Sequence, residues 1–298
     1  MRYIVAAFLI ALFGGSTLAQ SRRPELKVPE YAKIKAEALA DSTDFEERPY
    51  FILVDESEKA LKDGKYDDAA RRLVEAMGIE PDNPLNVALM SNLGMIYYYN
   101  GQDSLALRCL DEVVSRSPRL IAGHENRAKV LVGIGRDKEA FDEYGKVIEL
   151  DSLNTDAHFY HGMMALHSGR LAEAEKDFAV LEEIVPVART TYLALGTLYA
   201  MTSRETEAAT YLRKLVDVEP EPEYCVMLFD CYMVSGNYAD ASDVIGKAIE
   251  RYPEDGELYI CRARLNKARY DNEAANRDAE TAVKYGIPRS RVEALFKK

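Results

Sequence analysis

A seven-residue phrase keeps returning along this chain. GKYDDAA at 64–70 is followed by GQDSLAL at 101–107, GRDKEAF at 135–141, GRLAEAE at 169–175, SRETEAA at 203–209 and GNYADAS at 236–242. Successive copies start 37, 34, 34, 34 and 33 residues apart. A period that regular confines the chain to a stack of like supersecondary units, none of which can bury its own apolar face alone. It overrides the expectation of about two globular domains that the length of 298 residues would otherwise set.

Further columns keep the same phase. Aligned on the alanine of the phrase stand Ala69, Ala106, Ala140, Ala174, Ala208, Ala241 and a seventh, Ala275. Twelve residues earlier come Ser57, Gly94, Ala128, Gly162, Gly196, Phe229 and Ala263. Seven residues later the column is apolar, from Ala76 and Val113 to Ala248 and Ala282, and five further it reads Pro81, Pro118, Ser152, Pro186, Pro220, Pro253 and Ile287. Small side chains let two helix backbones approach closely. Gly64, Gly101, Gly135, Gly169 and Gly236 supply a turn at positive φ, and proline stops a helix because it lacks the backbone donor. Each unit therefore reads helix, tight turn, helix, break.

This pattern resembles the tetratricopeptide repeat family, whose 34-residue unit has small residues at positions 8 and 20, an aromatic near 24 and proline near 32. Gly94, Gly162 and Gly196 match position 8, the seven alanines match position 20, and Tyr144 and Phe178 match position 24. The resemblance implies an all-α, right-handed α-solenoid of about seven helix-turn-helix repeats over residues 50–288. Their bounds fall near 50–83, 87–120, 121–154, 155–188, 189–221, 222–255 and 256–288. Capping helices are expected on both sides. One lies in the segment 20–49, where Tyr31, Ile34 and Ala38 share a side, and the other in 289–298, with Val292, Leu295 and Phe296 at helical spacing. Phe229 breaks the small-residue rule, and Tyr270 stands where the seventh turn glycine belongs.

Residues 1–19 read as a secretory signal. Arg2 precedes an apolar run from Tyr3 to Phe13, and Thr17-Leu18-Ala19 suits cleavage before Gln20. The run is far short of the ~20 residues that span a bilayer. The expectation is an exported protein, periplasmic or secreted, with no stable membrane span after cleavage. A net charge of −12 argues against nucleic acid or an anionic bilayer as the partner. Cys109, Cys225, Cys231 and Cys261 follow no disulfide framework or metal knuckle. Their spacing favours buried free thiols and leaves open a bond from Cys261 to Cys225 or Cys231.

No nucleotide-binding, hydrolase or zinc-protease motif is present, and the sequence predicts no enzyme and no cofactor. His158, His161 and His167 cluster in HFYHGMMALH, but His158 and His161 fall at packing positions of the repeat, as does His124, so metal is not expected. The resemblance implies that first helices line a concave groove through positions 2, 5, 9, 12 and 13. On this chain those positions include Met95, Tyr98, Tyr99, Lys129, Phe159, Met163, His167, Thr197, Met201, Asp230 and Arg264. The family's carboxylate clamp of Lys and Asn at positions 5 and 9 is absent, since Ser91 and Met95, Glu125 and Lys129, and Phe159 and Met163 stand there. A superhelix of this family would make Tyr98, Tyr99, Phe159 and Met163 one patch with Lys129 between them. The expected function is a scaffold holding a protein or peptide. The alternative is a glycan- or peptide-ligand module, disfavoured by the lack of any Trp. Packing between repeats is the competing account of the same side chains. The partner's identity and the oligomeric state are not encoded in any motif found.

Overall fold

A computed structural model of the protein describes residues 48–296, with side chains through residue 294. The expected signal and N-terminal capping helix lie outside these residues. Among the described residues there are fifteen helices and no strand. Seven pairs follow one another: α1 (Pro49–Lys62) and α2 (Tyr66–Ile79), α3 (Asn86–Tyr99) and α4 (Asp103–Arg116), α5 (Ile121–Gly133) and α6 (Asp137–Leu150), α7 (Thr155–His167) and α8 (Leu171–Ile184). Then come α9 (Arg189–Met201) and α10 (Glu205–Val218), α11 (Pro222–Val234) and α12 (Tyr238–Arg251), and α13 (Gly256–Ala268) and α14 (Asn272–Lys284). A last helix, α15 (Arg289–Phe296), follows and buries Val292. The prolines of the periodic column all lie in the breaks between pairs. The architecture is an all-α helical-repeat solenoid. It divides into two compact units, one ending at His161 and one running from Gly162, with the division inside α7.

The two helices of a pair bury different amounts of themselves, and the sequence shows why. Second helices carry one apolar stripe, such as Ala69, Ala70, Leu73 and Ala76 on α2 or Ala106, Leu110 and Val113 on α4. Their other sides are charged, so one face packs and the rest meets water. Some first helices are apolar nearly all round. Residues 191–198 are buried without a break on α9, as are residues 224–231 on α11.

The small columns are where the helices of a pair meet. The hydroxyl of Ser57 donates to the carbonyl of Ala69 at 2.9 Å, joining the two columns directly in the first pair. In the second pair a Cβ built on Gly94 would come within 2.8 Å of Leu110 Cγ and 3.2 Å of the Ala106 carbonyl. In the fourth pair a Cβ on Gly162 would overlap the ring of Phe178.

All seven intra-pair turns close the same way. The backbone N–H three residues beyond the helix end donates to a carbonyl five residues back, as in Lys65 to Ala60, Gln102 to Tyr97 and Asn237 to Tyr232, each at 2.8 Å. This six-to-one bond forces the residue between into the left-handed region. The five turn glycines have φ between 72° and 78°. The remaining two turns make the same bond (Arg204 to Tyr199 at 2.8 Å, Asp271 to Asn266 at 2.9 Å) and hold Ser203 at φ 60° and Tyr270 at φ 63°.

Two measurements test this account. Ala174 is fully buried in the pair contact and Glu173 is exposed beside it. Ala174→Leu should therefore destabilise the protein by roughly 1–3 kcal/mol through overpacking, while Glu173→Leu leaves the melting temperature almost unchanged. Ser203→Gly should stabilise, because a non-glycine residue in the left-handed region costs about 1–2 kcal/mol against a smaller entropy loss for glycine. A lower melting temperature for Ser203→Gly would contradict it.

Candidate functional site

Five of the sequence-predicted site residues, Met95, Tyr98, Tyr99, Lys129 and Phe159, stand in the unit ending at His161. On α3, Met95 is buried, whereas Tyr98 and Tyr99 keep part of their surface. The Tyr98 ring lies on Gly133 at the end of α5, where any Cβ would overlap the phenol oxygen. Its centroid is 5.6 Å from that of Tyr99, which stacks in turn on Tyr66 of α2 at 6.5 Å. The result is a partly exposed cluster of three tyrosines. Lys129 is exposed on α5. Phe159 on α7 is buried and packs edge-on against Tyr160 at 5.2 Å, which stacks on buried Tyr144 at 5.3 Å. That ring belongs to the interior of its own unit.

The unit from Gly162 contains the others. Met163 and Thr197 are fully buried, Met201 is half-buried and His167 is exposed. Asp230 on α11 is 1% exposed, and its Oδ1 is ion-paired with Arg264 Nη1 of α13 at 2.8 Å. Beyond that ion pair neither Asp230 oxygen has a well-aligned hydrogen bond among the described residues, and neither has the hydroxyl of Thr197. Burial pushes the Asp230 carboxyl above the usual aspartate value, and the Arg264 guanidinium pulls it back in part. The same guanidinium sits 5.4 Å from the centre of the Phe229 ring. Phe229 thus fills the small-residue position and lies beneath Arg264, so two neighbours on α11 hold one cation of α13.

Comparison with known proteins fits these details into a family. Residues 125–189 match the family model described as Tetratricopeptide repeat. A solved tetratricopeptide repeat protein from Parabacteroides merdae is 25% identical, with a TM-score of 0.64 over 83% of this chain and 97% of that one. The chain is a tetratricopeptide-repeat protein. The type IV pilus biogenesis factor PilW shares its fold at 15% identity, with a TM-score of 0.61 over 71% of this chain and 98% of that one. Among curated sequences, DnaJ homolog subfamily C member 3 of Rattus norvegicus is 27% identical over 197 residues, 66% of this chain and 35% of the relative. The human protein of the same name is 26% identical over the same share of each chain. This chain thus aligns with about a third of the length of those relatives. Tetratricopeptide-repeat proteins are generally scaffolds that bind other proteins rather than catalysts.

Within this tetratricopeptide-repeat protein the histidines have a packing task that their spacing did not reveal. A side chain near the start of a first helix donates to the carbonyl six residues before it, tying the helix to the preceding break. His124 Nε2 reaches the Pro118 carbonyl at 3.1 Å, and His158 Nε2 reaches that of Ser152 at 3.0 Å. Thr191 Oγ1 reaches Val185 at 2.7 Å, and the Tyr259 hydroxyl reaches Pro253 at 2.9 Å. His161 stacks on Phe141 at 3.8 Å. Among the described residues no three His, Cys, Asp or Glu side chains are placed to share a metal ion. All four cysteines are free thiols. Burial, with Glu221 adding to it, pushes the Cys225 thiol up to about 11. Burial and Asp230 push that of Cys231 up to about 12, so both stay protonated and poorly nucleophilic at neutral pH.

The raised Asp230 carboxyl gives a pH test with a definite sign. Because the folded value lies above the ordinary 3.8, this residue's contribution to stability is complete below that value and is lost as pH rises through the folded one. Asp230→Asn removes the titration, so the melting temperature of the variant should climb relative to that of the native protein between pH 3.5 and pH 7. Drift in the opposite direction would show that pairing with Arg264 outweighs burial of the charge.

Proposed function

We propose that this protein is an exported, non-catalytic scaffold whose first-helix faces hold a partner polypeptide. The family supports protein binding. The observation that carries the reading further is the cluster of Tyr66, Tyr98 and Tyr99, three contacting rings of α2 and α3 that all stay partly exposed. Tyrosine offers a broad, stiff apolar surface with a polar edge, and interface energy concentrates in a few such side chains. Export is supported by the charge, apolar run and small residues of 1–19. No helix among the described residues is long and apolar enough to cross a membrane.

Capture from the native envelope by the mature protein tests the reading, with the partner identified by mass spectrometry. Tyr99→Ala should weaken capture by about tenfold or more, as loss of an interface anchor does, and leave the melting temperature nearly unchanged. Phe159→Ala should instead lower stability by roughly 3–5 kcal/mol, because it empties a buried aromatic site. Capture that survives Tyr99→Ala would move the binding surface away from the tyrosines. The exported chain should begin at Gln20, and an intact Met1 would refute export by cleavage.

A further inference from the structure

His124, near the start of α5, is buried, and both of its ring nitrogens face acceptors. Nδ1 stands 2.6 Å from Glu143 Oε2 of α6, and Nε2 stands 3.1 Å from the Pro118 carbonyl in the break before α5. A carbonyl oxygen carries no hydrogen, and neither does an ionised carboxylate. A neutral imidazole has one N–H and can satisfy only one of the two. An imidazolium satisfies both.

The carboxylate is held ionised from its other side. Arg127 Nη1 donates to Glu143 Oε1 at 2.6 Å, and Arg127 Nε donates to Asp111 Oδ1 of α4 at 2.7 Å. A guanidinium stays charged at any pH a folded protein meets. Asp111, Arg127, Glu143 and His124 thus form one array across α4, α5 and α6, closed onto the break between the second and third pairs. With His124 protonated, the array holds two anions and two cations. With His124 neutral, it carries a net negative charge around Glu143, whose side chain is only 13% exposed. The other charges near it are engaged elsewhere or face water. On α6, Glu139 pairs with Arg136 and Lys146 with Glu149, and on α5 Glu125 accepts from Asn154. Toward α4, Arg116 pairs with Glu112 and Arg119 in the break is exposed, while α3 carries no Asp, Glu, His, Lys or Arg. The tie to the break does not itself call for a histidine, since Thr191 makes the same bond to Val185 with a neutral hydroxyl. What His124 adds is the second nitrogen, on Glu143.

We propose that His124 is a pH-sensitive clasp between the second and third pairs, held as the imidazolium in the folded stack and opening at Nε2 when the ring loses a proton. The proton on Nδ1 stays in the shorter, charge-assisted bond to Glu143. Deprotonation therefore leaves the Nε2 lone pair facing the Pro118 carbonyl, and the start of α5 is released from the break. The folded array favours the protonated ring over the solvated one of the unfolded chain. The clasp's contribution to stability is thus complete below the ordinary imidazole value of about 6.5 and is lost as pH rises through the neutral and mildly alkaline range.

The test compares the full chain with Glu143→Gln. A glutamine amide donates to Nδ1 while its oxygen accepts from Arg127, so a neutral ring keeps its Nε2 proton on the Pro118 carbonyl at every pH. Long-range proton–nitrogen NMR, with the His124 signals identified by their absence in His124→Thr, should show both ring nitrogens protonated in the native protein at pH 7. In Glu143→Gln only Nε2 should be protonated. Between pH 5.5 and pH 8.5 the native melting temperature should fall relative to that of Glu143→Gln by about 2–4 °C, the shift expected for one hydrogen bond in a chain of this size. His124→Thr copies the residue of the fifth pair, keeps the tie without a titratable ring, and should show the same relative drift even where Glu143→Gln does not fold. A merely structural role for these contacts would offset each variant equally at every pH. A singly protonated His124 in the native protein at pH 7, or a melting-temperature difference that stays constant across the range, would overturn the inference.

Discussion

Everything in this fold depends on how closely the two helices of a pair can approach. The fully buried alanines of the second helices are matched by glycine, alanine or serine of the first in every pair but the sixth, where Phe229 stands, and at Ser57 the contact is close enough for a hydroxyl to reach the Ala69 carbonyl. Once that distance is set, the larger neighbours have defined places: Leu110 closes over Gly94, Phe178 over Gly162 and Leu212 over Gly196. A pair held this tightly buries too little apolar surface to stand alone. It must stack on its neighbours, which is why first helices such as α9 and α11 are buried on nearly every side.

The turns transmit this constraint along the chain. A six-to-one backbone bond recurs in every pair at 2.8 to 2.9 Å, whether or not the residue inside it is glycine. Ser203 and Tyr270 show that pair geometry outranks local preference, since both are drawn into a region their side chains disfavour. The two exceptions differ in consequence. A serine there is a small side chain tolerating a poor conformation, whereas a tyrosine leaves a large ring exposed.

How much of this was legible follows from what a periodic sequence encodes. The small columns, turn glycines and prolines each act through a hard local rule, so the helices and their pairing could be read from spacing alone. The candidate surface was less legible. Met95, Lys129, Met163, Thr197, Asp230 and Arg264 occupy the same repeat position, yet Lys129 is exposed and Met163 and Thr197 are fully buried. Repeat position gives the direction of a side chain but not the size of whatever stands opposite it. The histidines were obscure for a related reason. His124 and His158 are explained by carbonyls in the preceding break, and backbone acceptors leave no mark in a sequence. Phe229 read as a fault in the small column, and its relation to Arg264 needed the next pair to be in place.

Charge in this chain is abundant but mostly spread over exposed pairs within single helices, such as Lys62 with Glu58, Arg136 with Glu139 and Lys247 with Asp243. Pairs of that kind contribute at most a fraction of a kcal/mol each, and they leave the surface field acidic. Arg264, like Arg262 with Asp278, instead meets a buried carboxylate of another helix. What sets its partner Asp230 apart is that neither carboxylate oxygen has a well-aligned hydrogen bond among the described residues, so the ion pair alone offsets the burial of the charge. Position 9 of the other repeats shows that Met or Thr serves packing there just as well. What the pair adds is geometry: the Asp230 carboxylate and the Phe229 ring, adjacent on α11, hold one guanidinium of α13 and so fix how that helix seats on α11.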